Sequence, residues 1–470
     1  MTTSSRPDLV NAVAAWLVFA VVLWARAVLN DGDTWWHVEA GRVMLAQHAV
    51  LHTDPFSATF RGQPWPTHEW LSEVIFAGAH EVAGWSGVVL LTALAVGLAA
   101  WMLANEIGRR LSGLPHLCLL LLAFSLFAPH LLVRPHILAL PVMVAWAAEL
   151  LRARDEDRAP RWAFLPLMAL WANLHGGFMF GLALIGPFAL EALVAAPPGR
   201  RAAVALRWAG FGLAALAIAL ATPHGLAGVL FPFKLSGMWA NSQIGEWRAA
   251  DFSRLTPLAV CLLAGLFVAL TRPVRLEPLR AALLVGLVYA SLVHNRHEQL
   301  LAVVGGLMLA APLARAFGRS GAPAAPPPRT GRLLAAGAAV AVLTLGVARL
   351  STPLVLTDNV SAPVSALAAV PGDVRARPVL NDYGFGGYLI GHRVAPYVDS
   401  RAELYGDGFL KDYGRLIEAR PADLDRVLTE RRIGWTILKP HTPLALAMDA
   451  RPGWRRLYAD RWAVVHVAEP

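Results

Sequence analysis

Residues 10–37 read VNAVAAWLVFAVVLWARAVLNDGDTWWH. Apolar side chains fill nearly all of residues 10–29. That is roughly the 20-residue length needed to cross a hydrocarbon core of about 30 Å as a helix. The chain then turns polar at once, at Asn30-Asp31-Gly32-Asp33, and two tryptophans follow at Trp35 and Trp36. No small-residue cleavage site follows Leu29, so the segment predicts a retained span rather than a signal peptide.

The rest of the chain repeats this pattern. Hydrophobic residues make up 56% and charged residues 16%, against about 25% charged in soluble domains. The excess falls in blocks near 10–29, 85–105, 114–128, 136–151, 162–174, 178–195, 208–222, 255–270, 279–293, 298–313 and 333–350. These predict about eleven transmembrane helices. Short loops at one side carry most of the arginine, including Arg109, Arg110, Arg152, Arg154, Arg158, Arg161, Arg200 and Arg201. Positive loops stay inside, so the N-terminus is expected inside and the C-terminus outside. The expected fold class is a mainly α-helical polytopic membrane protein with a small extracytoplasmic α/β C-terminal domain. A transmembrane domain covers 1–350, with a first outer loop at 30–84, and the α/β domain covers 351–470. Gly318–Arg332, with three consecutive prolines, reads as a flexible linker.

The net charge of +9 follows from the inner-loop arginines and points to topology and anionic lipid, not to nucleic acid. Cys118 and Cys261, the two cysteines, both lie in predicted spans.

The first outer loop predicts a helix from Asp33 or Thr34 to about Gln47. Its tryptophans suggest that it lies in the membrane interface. A second helix from about Glu69 to Val82 leads into the membrane. Beyond residue 350, Pro378–Asn381, Ala395–Asp399, Ile433–Leu438 and Trp462–Val467 read as strands. Gly408–Ala419, Pro421–Arg431 and Pro443–Ala450 read as helices.

Asp31 and Asp33 stand two apart directly after a span. Such a pair can bind a divalent ion or act as a general base; the bland alternative is a helix cap and a solvated acid. Glu69 and Asp54 share the loop. Arg134-Pro135-His136, Asn173-Leu174-His175, Glu246-Trp247-Arg248 and His294-Asn295-Arg296-His297 all fall at outer helix ends. Polar groups there are costly and tend to line cavities, and Arg and His suit a phosphate. The bland alternative is snorkelling and capping. In the C-terminal domain, Asp382-Tyr383-Gly384 and Asp399-Ser400-Arg401 are expected at the ends of two adjacent strands, where α/β sheets bind ligands. Tyr383–Gly387 mimics a dinucleotide loop, but Leu389 stands where its third glycine would be.

One helix, a long outer loop opening with Asp-x-Asp, then many helices with polar outer ends: this layout resembles the polytopic glycosyltransferases of the C-type fold. Their donors are polyprenyl-phosphate-linked sugars. The resemblance implies Asp31 and Asp33 as base or ligands of a divalent cation (Mg or Mn), with Asp54 and Glu69 as further acidic residues of that loop. It also implies a lipid-linked donor, membrane lipids as surroundings, and a bacterial inner membrane with the active face outside. A narrower likeness is to the oligosaccharyltransferase catalytic subunit, whose Trp-Trp-Asp-Tyr-Gly motif contacts the acceptor. Asp382-Tyr383-Gly384 matches its last three positions, while Leu380 and Asn381 replace the tryptophans. The expected activity is sugar transfer to an envelope acceptor by single displacement. Asp31 or Asp33 would be the base, and Arg134, Arg248 or Arg296 would hold the phosphate. His175, His297, Glu69, Asp54, Asp382, Tyr383 and Arg401 complete the candidate substrate site. A non-catalytic envelope scaffold or sensor, or a transporter of a lipid-linked substrate, are the competing readings.

Overall fold

The computed structural model describes residues 7–240, 245–318 and 328–469, so most of the Gly318–Arg332 linker lies outside the described residues. The chain opens with α1 (Pro7–Trp24) and a 3-10 turn at Arg26–Leu29. Two helices of the long loop follow, α2 (Asp33–Gln47) and the first part of α3 (Trp70–Gly108). α3 bends at Ala83–Gly84, where Gly84 has φ +56°, a value glycine tolerates without strain. The predicted loop helix ending near Val82 and the predicted span from residue 85 are two helices that meet at this kink.

Next come α4 (Leu114–Phe127), α5 (Pro135–Asp155), α6 (Leu165–Leu174), α7 (Phe178–Ala195), α8 (Arg201–Ala219) and α9 (Gly225–Ser236). They are followed by α10 (Pro257–Thr271), α11 (Pro278–Val293), α12 (Glu298–Leu300), α13 (Gly306–Ala316) and α14 (Pro328–Ser351). A π-helical turn at Leu301–Gly305 joins α12 to α13. Every apolar block read from the sequence is helical. α9 was not expected, because Pro232 and Lys234 interrupt its apolar run.

Among the described residues, five helical segments are long and apolar enough to cross a membrane: Trp70–Gly108, Pro135–Asp155, Phe178–Ala195, Pro198–Ala219 and Asn295–Ala316. Seven shorter apolar helices stand with them. Large apolar side chains such as Leu206, Leu213, Phe267, Leu270 and Leu343 are exposed on these helices. Such surface is stable against lipid rather than water. The chain is a multi-pass membrane protein.

The remaining residues form α15 (Val364–Ala368), α16 (Gly372–Arg375), β1 (Val379–Asn381), α17 (Gly386–Gly391), α18 (Ala402–Ile417) and α19 (Pro421–Glu430). β2 (Trp435–Leu438), α20 (Pro443–Asp449), β3 (Trp454–Ala459) and β4 (Val464–Ala468) complete the chain. The sheet order is β1-β2-β4-β3, with β1 parallel to β2 and the other pairs antiparallel. Two expectations need correction. Ala395–Asp399 is not a strand. The Asn381 side chain takes the place of a partner there, donating to the Val398 carbonyl at 2.8 Å and accepting from the Tyr397 amide at 2.8 Å. β3 was missed because it is a polar edge strand, with Arg455 and Arg456 exposed.

The predicted interfacial role of the tryptophans is also corrected. Trp35 and Trp36 are buried, at 2% and 6% exposure. Trp35 packs edge-on against Trp85 and Tyr388, and Trp36 against Trp65. Trp35 shares one core with Phe385, Leu389, Trp435 and Val465. Trp36 shares another with Trp65, Tyr397, Tyr405 and Leu410. The first loop and the residues after 350 thus pack as one layer, with protein where lipid was expected.

Candidate functional site

The site begins at the Asp31-Gly32-Asp33 turn. The Asp31 carboxylate accepts the Asp33 amide at 2.7 Å, which fixes the turn into α2. The segment before α5 is tied to the same turn. The Val133 amide donates to the Val28 carbonyl at 2.9 Å, and the Thr34 hydroxyl donates to the Val133 carbonyl at 2.9 Å. Residue 134 is thereby placed opposite the aspartates. Its Nη2 lies 2.8 Å from Asp31 Oδ2 and 2.7 Å from Asp33 Oδ2. One guanidinium nitrogen bridges both carboxylates. Trp36 donates to Asp33 Oδ1 at 3.2 Å and to the Ser400 hydroxyl at 3.0 Å.

Glu69 lies beside this pair. Trp70 donates to Asn173 Oδ1 at 2.7 Å and Ser72 to the Leu174 carbonyl at 2.7 Å. These bonds join the start of α3 to the end of α6, so Glu69 meets His175 at 3.4 Å. His175 Nδ1 accepts the Gly177 amide, which leaves Nε2 to carry the proton facing Glu69. His68 and His37 approach Glu69 at 3.6 Å and 3.8 Å, and His37 Nδ1 is 3.1 Å from Glu73. The α2–α3 crossing depends on Gly41. A Cβ there would lie 2.0 Å from the Glu73 carbonyl oxygen, so only glycine lets the backbones approach this closely.

Burial, then the nearby Glu403 charge, pushes the Glu69 carboxyl up to about 8. Burial holds His68 down to about 3 and lowers His37 and His175 well below their usual value. At neutral pH the cluster therefore holds Glu69 mostly protonated among neutral histidines. It is a neutral, proton-carrying cluster beside a charged carboxylate pair. Perturbed groups gathered in this way mark candidate sites.

Arg296 stacks over the Trp247 ring at 4.3 Å, and its charge reaches Glu69, His68 and His175. Arg248 is exposed, and its carbonyl receives the Asn295 amide at 3.2 Å, beside Arg296. His297 packs edge-on against Phe180.

The C-terminal domain closes over the turn through glycines. A Cβ on Gly387 would lie 1.9 Å from the Gly32 carbonyl oxygen, and one on Gly386 would lie 2.3 Å from the Val398 carbonyl oxygen. The segment that mimics a dinucleotide loop is thus a docking surface for the aspartate turn. Tyr383 donates to the Ser400 carbonyl at 3.2 Å. Burial and the nearby Asp33 charge push its hydroxyl up. Asp382 receives the Gly384 amide and pairs with Lys439 at 3.1 Å, so it shapes the turn. Arg401 and Asp54 are not open to a ligand. Both side chains are 0% exposed, with Arg401 bonded to Asp54 at 2.8 Å and to Asp399 at 2.6 Å. They clamp the first loop to the C-terminal domain.

Glu403 was not read from the sequence. It opens α18, accepts the Trp65 indole N–H at 3.0 Å, and burial raises its carboxyl. Nothing in the surrounding Ala402-Glu403-Leu404 marks it.

The fold so described is shared with solved proteins. The archaeal oligosaccharyltransferase AglB from Archaeoglobus fulgidus, in complex with an inhibitory peptide and a dolichol-phosphate, matches with a TM-score of 0.54 and 12% identity, over 98% of this chain and 74% of that one. The apo form of the Archaeoglobus fulgidus oligosaccharyltransferase matches with a TM-score of 0.45 and 12% identity, over 92% of this chain and 69% of that one. ArnT from Cupriavidus metallidurans bound to undecaprenyl phosphate matches with a TM-score of 0.47 and 14% identity, over 97% of each. No protein-family model and no curated protein sequence matches the chain. The chain has the C-type glycosyltransferase fold. Identity this low establishes fold and not chemistry.

Proposed function

We propose that the chain transfers a sugar from a polyprenyl-phosphate-linked donor to an envelope acceptor at the extracytoplasmic membrane face, with residues 351–470 covering the site. One observation carries the reading. The Asp31–Asp33 pair, held by Arg134 beside the Glu69 cluster, sits at the helix ends of a fold shared with a dolichol-phosphate-bound oligosaccharyltransferase. No nucleotide sugar reaches such a face, so an activated donor arrives in the lipid.

Asp33 is the more exposed aspartate, at 16% against 9% for Asp31, and is assigned as base. The acceptor oxygen attacks the anomeric carbon, and the bond from that carbon to the phosphate oxygen breaks. The electron pair leaves with the polyprenyl phosphate, and the acceptor proton passes to Asp33. One displacement inverts the anomeric centre. Arg134 is engaged with the aspartates and orients them. Arg296 is assigned to the departing phosphate, where a fixed cation stabilises developing charge. Glu69, protonated at neutral pH, accepts from His175 Nε2 and keeps a neutral carboxyl beside the aspartate pair.

The resemblance implies a divalent cation at the aspartate pair, but an arginine occupies that position. Arg134 Nη2 lies between the two carboxylates, within 2.8 Å of each. Among the described residues no group of three or more His, Cys, Asp or Glu is arranged to hold a metal. These residues do not fit a metal as they stand, and no step is routed through one.

The test is binding of a polyprenyl-phosphate panel to the purified protein in nanodiscs, with wild type beside Arg296→Ala, followed by transfer assays with Asp33→Asn. Binding weakened by Arg296→Ala, and transfer lost in Asp33→Asn, supports the reading. A folded protein that binds no member of the panel overturns it and favours the scaffold.

A further inference from the structure

A cavity of about 180 Å³ lies where the last turn of α14 meets α1 and α3. Its lining includes Trp24, Arg26, Asn30, Trp35, Arg349 and Thr352, between leucine and valine walls. Arg349 is 7% exposed. Its Nη2 donates to the Thr352 carbonyl at 2.8 Å and to the Ser86 hydroxyl at 3.4 Å. The guanidinium lies over the Trp24 ring at 5.0 Å. Its Nε has no hydrogen-bond partner, and neither does the buried Trp35 indole N–H.

Two arginines are buried among the described residues. Arg401 is matched by Asp54 and Asp399. Arg349 forms no ion pair with any carboxylate among the described residues, although Asp358 stands near the cavity rim, bonded to Ser365. An unpaired buried charge is costly. Exposed Arg26 on the same lining adds a second cation without a carboxylate partner. Cations above apolar walls, at the end of a span, match an amphiphile with an anionic head.

We propose that this cavity binds the phosphate of an anionic membrane lipid, distinct from the donor phosphate assigned to Arg296. Arg349 Nε and Arg26 take the phosphate oxygens, and the leucine and valine walls take the first methylenes of the tail. The site stands whether or not the protein transfers sugar.

Native mass spectrometry of the full chain in mixed micelles tests it, with phosphatidylglycerol, diacylglycerol and inorganic phosphate as probes. Wild type should retain one tight phosphatidylglycerol that diacylglycerol does not replace. Arg349→Gln should weaken that binding by about ten-fold and Arg26→Gln by about three-fold, from loss of charge-assisted contacts. If Arg349→Gln fails to fold, Arg349→Lys and Arg26→Gln carry the test. Arg296→Ala should leave phosphatidylglycerol binding unchanged. Equal phosphatidylglycerol binding by wild type and all folded arginine variants overturns the proposal. So does inorganic phosphate binding as tightly as the lipid.

Discussion

The two ends of the helical bundle use the same residue types to opposite effect. At the arginine-rich end every buried acid is matched. Glu149 is held by Arg158 at 2.6 Å and Arg161 at 2.7 Å, and Glu191 by Arg154 at 3.1 Å and Arg280 at 3.0 Å. At the histidine-bearing end the ratio reverses. One arginine serves two aspartates, and Glu69 sits among three histidines with its proton retained. Saturated pairs fasten helices together. Under-matched groups keep their chemistry available.

The sharpest way to break this contrast is to neutralise one acid at each end. Asp33→Asn should lower sugar transfer by about 10³-fold with the fold intact, as loss of a general base does. Glu149→Gln takes the acid from Arg161 and leaves Arg158 only Glu156, so it should cost stability while activity per folded molecule is kept. Equal activity losses would erase the distinction.

Next in size is the clamp that carries the C-terminal domain. Arg401→Met strands two buried aspartates and should destabilise by about 3 kcal/mol or more, measured by thermal unfolding in detergent. Gly387→Ala drives a methyl into the Gly32 carbonyl. It should cost about 1–3 kcal/mol through overpacking and reduce transfer by displacing the aspartate turn. Unchanged stability would mean the glycine contact is not a docking point.

The smallest effect concerns the Glu69 proton. The folded protein holds it to about pH 8, whereas the unfolded chain releases it near the usual value for Glu. Between those limits the native state binds the extra proton, so this group's contribution to stability falls as pH rises and levels off above about 8. Glu69→Gln removes that slope. Its melting temperature relative to wild type should rise by about 2 °C from pH 5 to pH 8.5. His68 has the opposite sign. It is neutral down to about pH 3 when folded, so its contribution is lost as pH falls below its usual value. It is present in both proteins and cancels.

Much of this molecule was legible in its sequence. Apolar blocks, the abrupt turn at Asn30–Asp33 and the strands at Val379–Asn381, Trp435–Leu438 and Val464–Ala468 are local patterns that the structure follows, whereas Ala395–Asp399 is not a strand and β3 was not read. Of the Arg and His read at one set of helix ends, Arg134 meets the aspartates and His175 meets Glu69, while Arg248 is exposed and His297 packs on Phe180. The partners did not read. Arg134 meets Asp31 and Asp33 only because backbone bonds tie Val133 to Val28. Glu403 enters the Glu69 field from a distant helix, and Arg401 is clamped rather than open. The physical reason is range. Hydrophobic periodicity and turn chemistry act over a few residues and decide which segments are helix, strand or span. Which charge neutralises which, and which acid keeps its proton, depends on burial and distance between segments hundreds of residues apart, and those exist only once the chain has packed.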